Sequence, residues 1–255
     1  MIVARTIGEL DLPRHGVVGL VPTMGALHAG HAALFAAARA ECDVLVASVF
    51  VNPAQFDDAN DLAAYRADFA HDADLAQREG VDVIFAPSAS EMYPPAFATW
   101  VVPAGAAEGL EEAHRPGHFR GVATVCLKLF NIVSPQLAWF GRKDAQQVAV
   151  LKQLVRDLNV PVEIRVVDTV RDDDGLALSS RNARLTPAER ARALAIPQAL
   201  ATRNLDRAAA VLTAAGLEPD YVAVTDLDGP TLAIAAHVGS ARLIDNVRLD
   251  EGDPE

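Results

Sequence analysis

Cysteine is scarce in this chain of 255 residues: only Cys42 and Cys126 occur, both inside apolar stretches. Two isolated thiols build neither a disulfide framework nor a thiolate metal site, and buried free thiols are the expected state. That usage suits the reducing cytoplasm. Long apolar runs are also missing; none approaches the roughly 18–20 residues of a membrane helix, so no bilayer span is expected. Residues 1–13 carry Glu9 and Asp11 and no long apolar segment, which is unlike a signal peptide. Lysine is rare, with Lys128, Lys143 and Lys152 the only three among 22 basic residues. Positive charge as a whole falls short of the 34 acidic residues, leaving a net charge of −12. Such a surface repels nucleic acid and anionic lipid, so neither is expected as a partner. A polyphosphate ligand would have to be held by a few local donors.

What is present is ample apolar material, 51% of the chain, enough for a sizeable core. The run at 17–21 is β-rich and ended by Pro22, which reads as a buried strand. A glycine-bearing turn follows at 23–30, then an Ala-rich helix from His31 to Glu41 and a second strand at 44–51. Strand, turn, helix and strand in this span have the size of a βαβ unit. Residues 61–79 predict a helix stopped by Gly80, and 81–86 a strand. Val122, Val125, Cys126, Leu129 and Val133 recur at helical spacing. A strand at 137–140, a helix at 145–159 and a strand at 162–167 complete the alternation. The expected class is α/β, a Rossmann-like, mainly parallel sheet with helices on both faces.

Near Thr186 the character changes. Thr186-Pro187-Ala188-Glu189 is a helix start with an N-cap, Pro at N1 and Glu at N3. Two helical segments and strands at 221–225, 232–238 and 242–247 then predict a smaller C-terminal α+β domain. The domains are expected at 1–184 and 185–255.

The strongest chemical signal is Pro22-Thr23-Met24-Gly25-Ala26-Leu27-His28-Ala29-Gly30-His31. It lies where the first strand ends and the first helix begins, the place where open α/β sheets bind ligands. A bare His-x-x-His arises readily by chance. Here a strand end, two glycines and a helix N-terminus surround it, which makes the turn an anion site. No G-x-G-x-x-G and no G-x-x-x-x-G-K-[ST] is present, which disfavours a dinucleotide fingerprint and a P-loop. Zinc lacks an obvious third ligand nearby.

This turn resembles the "HIGH" signature of nucleotidyl-transferring enzymes in its His-x-x-His form. Four further blocks sharpen the match: Ser48-Val-Phe-Val-Asn-Pro-Ala-Gln-Phe56, Arg115-Pro-Gly-His-Phe-Arg-Gly-Val122, Phe140-Gly-Arg-Lys-Asp-Ala-Gln-Gln147 and Gly175-Leu-Ala-Leu-Ser-Ser-Arg-Asn182. In this order they resemble the pantothenate synthetase family, ligases that join pantoate to β-alanine. The likeness continues more faintly through Pro219-Asp-Tyr-Val222 and Ser240-Ala-Arg-Leu-Ile-Asp-Asn246. It implies ATP as substrate, a pantoyl adenylate intermediate and a homodimer, with 115–122 near the dimer contact. ATP would bring Mg²⁺, and a reactive adenylate must be kept from water, so partial closure between the two domains is expected.

The resemblance assigns ATP contacts to Pro22, Thr23, Met24, Gly25, His28, His31, Gly141, Lys143, Asp144, Val170, Leu178, Ser179, Ser180 and Arg181. His28, His31, Lys143 and Arg181 would stabilise charge during attack on the α-phosphorus. Taken alone, Ser179-Ser180-Arg181 reads as a polar loop and Asp144 as a surface ion pair with Lys143. Gln55 and Gln147 match the family's pantoate-binding amides, which suit a hydroxy acid because an amide both donates and accepts. Met24, Val122, Val125, Cys126 and Leu129 match an apolar wall for pantoate, with plain core packing an equal alternative. Tyr65 and Asp72 fall on a helix expected to cover the site. No dedicated protein metal site is expected, the ion being held by substrate and water. The chain departs from the family at Arg142 (usually Glu), Ala145 (usually aromatic), Leu178 (usually Met) and Tyr65-Arg66-Ala67 (usually Tyr-Pro-Arg), and its C-terminal part is short. Two other readings stand beside this one: another HIGH-type nucleotidyltransferase, and a non-catalytic adenylate-binding module.

Overall fold

A computed structural model describes residues 1–13, 15–57, 59–65 and 68–250. The chain forms two compact units, Met1–Phe140 with Ala149–Val167, and Gly141–Val148 with Asp168–Glu255.

The first unit is built on six strands: β1 (Ile2–Ala4), β2 (Val18–Thr23), β3 (Val44–Val49), β4 (Val83–Phe85), β5 (Leu137–Gly141) and β6 (Glu163–Val167), in the order β1-β4-β3-β2-β5-β6. The pairs β1–β4, β4–β3, β3–β2 and β2–β5 are parallel. Successive residues of β2, β3 and β4 are almost all buried. Neighbouring side chains on a strand point to opposite faces, so both faces of the sheet are covered. The covering elements are α1 (Ala29–Arg39), α2 (Ala59–Ala64), α3 (Phe69–Arg78), α4 (Ala89–Met92), α5 (Leu110–His114), α6 (His118–Val133) and α7 (Ala145–Asp157). Phe35 and Ala38 of α1 pack with Val21, Leu45, Ala47, Ile84 and Trp139 in one core cluster. The strand after β2 lies on one side of it and β5 on the other, which makes the β2/β5 position the topological switch point.

Two expectations are corrected here. The single helix predicted over 61–79 is two helices, because the Asp68 carboxylate accepts the Ala70 and His71 N–H groups at 3.1 and 3.2 Å and starts α3 afresh. The Arg66-Ala67 departure lies outside the described residues. Strand β1 was not anticipated; its three residues are too few to show a pattern, and pairing with β4 defines it.

In the second unit, α8 (Pro187–Ala193), α9 (Ala195–Ala201) and α10 (Leu205–Ala214) accompany an antiparallel sheet of β7 (Pro219–Asp226), β8 (Pro230–Val238) and β9 (Ala241–Arg248). Thr186 makes the expected capping box with Glu189. Three helices stand where two were expected: Pro197 has no N–H for the Ala193 carbonyl, so α8 ends and α9 begins around Leu194. Ile196, Leu200, Leu212, Leu232 and Ile234 centre the core. The unit begins at Asp168 and takes in 141–148, whereas the sequence reading drew its boundary at 184. Long-range contacts made by β9, described below, account for the difference.

Candidate active site

In the first unit the chain leaves β2 through a turn with little freedom. The Thr23 hydroxyl donates to the Ser48 carbonyl at 2.6 Å and accepts the Gly25 N–H at 3.2 Å. Gly25 and Ala26 both take left-handed backbone, φ +77° and +52°. Glycine does this freely, whereas for alanine it is strained. The opposing contact is the fully buried Asp72, whose two carboxylate oxygens accept the Ala26 and Leu27 N–H groups at 3.0 and 2.7 Å. The Tyr65 hydroxyl donates to the Gly25 carbonyl at 3.1 Å. Tyr65 and Asp72 were expected on one helix covering the site; Tyr65 instead follows the end of α2 and only Asp72 is helical, in α3, and both hold the backbone of the turn.

His28 is the N-cap of α1. Its Nδ1 accepts the Gly30 N–H at 3.1 Å, and the His31 Nδ1 accepts the His28 N–H at 3.2 Å. An imidazole nitrogen that accepts carries no proton, so each neutral ring bears its proton on Nε2. The rings lie 4.2 Å apart, centroid to centroid. The turn thus brings together Pro22, Thr23, Met24, Gly25, His28 and His31 at the end of β2 and the head of α1, where the positive end of the helix dipole favours an anion.

Gln55 sits in the short turn Pro53–Gln55. Sequence reasoning did not single out the buried Asn52, which sets Gln55's orientation. Asn52 Oδ1 accepts from the Ala54 N–H (3.2 Å) and the Tyr93 hydroxyl (2.8 Å), while Nδ2 donates to Gln55 Oε1 (3.0 Å) and the Gly121 carbonyl (3.2 Å). With its oxygen engaged, Gln55 offers N–H donors to a ligand. His118 Nδ1 donates to the Gln55 carbonyl at 2.8 Å, because a carbonyl only accepts, and Arg115 donates to the same oxygen at 3.3 Å. Gly121 allows α6 to come this close, since a Cβ there would lie 2.2 Å from the Ala54 carbonyl oxygen. Val122, Val125, Cys126 and Leu129 form one buried face of α6. Burial pushes the Cys126 thiol up to about 12. Burial, then proximity to Cys126, raises Tyr93 to about 12 against the opposing hydrogen bond to Asn52.

The second unit holds a pocket lined by Lys143, Ser179, Arg181, Asn182, Arg242 and Asp245, over an apolar floor that includes Leu176 and Ile196. Lys143, Ser179 and Arg181, distant in sequence, therefore meet. Arg242 and Asp245 were missed as lining residues, although the block Ser240–Asn246 contained the signal. Ser179 caps the turn Ser180–Arg184, its hydroxyl accepting the Arg181 N–H at 3.2 Å. The Leu178 N–H donates to the Val170 carbonyl at 2.9 Å. Lys143 lies in the turn Arg142–Asp144 after Gly141, its Nζ 3.7 Å from the half-exposed Asp144 carboxylate. That distance and exposure make a weak ion pair. Arg142 pairs with Asp228 at 3.2 Å, which gives the departure from Glu a local partner. Gly141, Asp144, Gln147, Val170, Leu178 and Ser180 belong to this unit but do not line the pocket.

Comparison with known proteins decides the family. The profile of the pantoate-beta-alanine ligase family matches residues 4–248. The chain belongs to the pantoate–β-alanine ligase family. It is 48% identical to a pantothenate synthetase of Roseiflexus castenholzii (98% of this chain, all of that protein) and 49% identical to one of Corynebacterium efficiens (98% and 99%). The crystal structure of pantothenate synthetase from Thermus thermophilus superposes with a TM-score of 0.94 at 44% identity, covering 98% of this chain and 99% of that one. A Francisella tularensis pantoate-beta-alanine ligase complexed with beta-gamma ATP and beta-alanine gives 0.90 at 37% identity, with 99% of each chain covered. As a ligase of this family, the chain forms pantothenate in an ATP-dependent reaction. That activity decides against both alternative readings.

Proposed function

We propose the following division of labour for the two-step reaction. A pantoate carboxylate oxygen attacks the ATP α-phosphorus, the bond to the β-phosphate oxygen breaks, and pyrophosphate leaves. The β-alanine amine then attacks the acyl carbon of pantoyl adenylate and AMP leaves, with one proton released. No protein nucleophile is needed; the chain contributes position and electrostatic stabilisation. His28 and His31 each donate Nε2–H to phosphate oxygens, Lys143 and Arg181 supply fixed positive charge, and Ser179 and Ser180 donate hydroxyls. Pro22, Thr23, Met24, Gly25, Gly141, Val170 and Leu178 contact the nucleotide, and Asp144 accepts from ribose. Gln55 and Gln147 bind pantoate, whose dimethyl end lies on Met24, Val122, Val125, Cys126 and Leu129.

The observation that carries this reading is the meeting of Lys143, Ser179 and Arg181 in one pocket. A cation, a hydroxyl and a guanidinium from separate segments form a donor set for phosphate oxygens. Those donors do not suit Mg²⁺, and among the described residues no three His, Cys, Asp or Glu side chains gather to hold a metal. Mg²⁺ therefore enters with the triphosphate and is assigned no protein ligand; when bound it neutralises phosphate charge. We assign the protein to the cytoplasm, on its two buried free cysteines, and to a homodimer, on the family resemblance. Among the described residues no helix is long and apolar enough to cross a membrane.

The test is exchange of labelled pyrophosphate into ATP with pantoate, with other hydroxy acids and with no acid. Exchange only with pantoate is expected. Equal exchange with unrelated acids, or with none, overturns the substrate assignment.

A further inference from the structure

The block Ser240–Asn246 supplies most of β9. Within it, Asn246 is 5% exposed and lies on β9. Its Nδ2 donates to two consecutive main-chain carbonyls, those of Arg142 at 3.0 Å and Lys143 at 2.9 Å. Both hydrogens of one NH₂ group are thus engaged by the turn that carries Lys143. The orientation of the amide follows, because the reverse would set Oδ1 against two acceptors. The strand beneath is itself fixed. Neighbouring Asp245, 3% exposed, accepts the Asn246 N–H at 2.8 Å and makes a two-pronged pair with Arg171 at 2.6 and 3.1 Å. Arg171 in turn bridges to Ala177, two residues before Ser179. Adjacent residues of β9 therefore hold the Lys143 turn and the segment leading to Ser179 and Arg181.

We propose that Asn246 is a positioning residue for the adenylation step: it fixes the backbone of Arg142 and Lys143 so that the ammonium group is preorganised for the phosphate charge. The turn Arg142–Asp144 is only three residues long. Such a turn has few internal hydrogen bonds, so two from outside dominate its placement. A shift of about 1 Å in a charged catalytic group costs on the order of 10²-fold in rate. This inference rests on the assignment of Lys143 to the phosphates.

The experiment is a double-mutant cycle with Asn246→Ala, Lys143→Ala and the double variant. It is read in kcat for pantoate-dependent pyrophosphate exchange and in the Kd of ATP by calorimetry. Asn246→Ala should lower kcat roughly 10- to 100-fold, and adding it to Lys143→Ala should change the remaining rate or Kd less than about twofold. Asn246→Ser, with one donor, should fall between, and Asn246→Asp, with none, should match or exceed the alanine loss. Leu212→Ala, in the core of the same unit far from the turn in sequence, controls for destabilisation: it should lower Tm and leave kcat unchanged below the transition. Multiplicative effects in the cycle, or an Asn246→Ala enzyme with more than half of the parent kcat, overturn the positioning role. If Lys143→Ala itself keeps normal exchange, the Lys143 assignment fails instead, and this inference fails with it.

Discussion

Asp72→Asn is the sharpest perturbation of the imidazole turn. The carboxylate is fully buried and each oxygen takes one backbone N–H, from Ala26 and Leu27. An asparagine there keeps one acceptor and turns an NH₂ group toward the other N–H. One charge-assisted hydrogen bond, worth roughly 1.5–3 kcal/mol, is lost, and a buried donor is left facing a donor at a further 1–3 kcal/mol. A combined loss of about 2.5–6 kcal/mol corresponds to a Tm lower by about 5–24 °C for a chain of this size. Released at Ala26, whose left-handed φ needs an external hold, the turn relaxes and both imidazoles shift; exchange should fall about 10²-fold. Asp72→Glu keeps the charge but adds a methylene to a filled site and should cost about 1–3 kcal/mol. Calorimetry and pantoate-dependent exchange, measured side by side well below Tm, check both. An Asp72→Asn protein that melts within about 2 °C of the parent and exchanges at more than half its rate would refute the clamp.

Other expectations are equally direct. His31→Ala should keep the fold and lose roughly 10²–10³ in exchange rate, as for loss of an oxyanion donor; a loss below tenfold would remove it from the phosphate site. Gly121→Ala places a methyl 2.2 Å from the Ala54 carbonyl oxygen, so Tm should drop and the KM for pantoate should rise as the Gln55 turn is pushed away; an unchanged KM would detach Gln55 from pantoate. The folded state keeps protons on Cys126 and Tyr93 up to about 12, whereas the unfolded chain releases them from about 9 and 10. Their contribution to stability is thus complete below about 9 and declines as pH rises toward 12, on the order of 1 kcal/mol per pH unit for each group. Denaturant titrations from pH 8 to 11 should show that decline, and Cys126→Ala should flatten it; parallel curves would mean that the thiol titrates normally.

Local signals were legible because their physics is local. The apolar runs of β2 and β3, the Thr186 capping box and the helical spacing of Val122, Val125, Cys126 and Leu129 depend on neighbours within a turn or on burial that composition reveals. His28 and His31 could be read for the same reason: a strand end, two glycines and a helix start lie within ten residues. Asp68 is the instructive failure, since an acidic residue inside a polar helical pattern looks like surface until its carboxylate is seen capping α3.

Sequence by itself settled the alternation of strands and helices, the turn at the head of α1 and the segments that carry the charged groups, since each follows from side-chain pattern over a few residues. Tertiary structure alone decided that Asp72 grips Ala26 and Leu27, that Asn52 orients Gln55, and that Asn246 draws residues 141–148 into the second unit. These are hydrogen bonds between groups many tens of residues apart or, for Gln55, an amide orientation that its own neighbours leave open until Tyr93 and Gly121 close around Asn52. No local periodicity encodes them; they exist only once the sheets have set the distances.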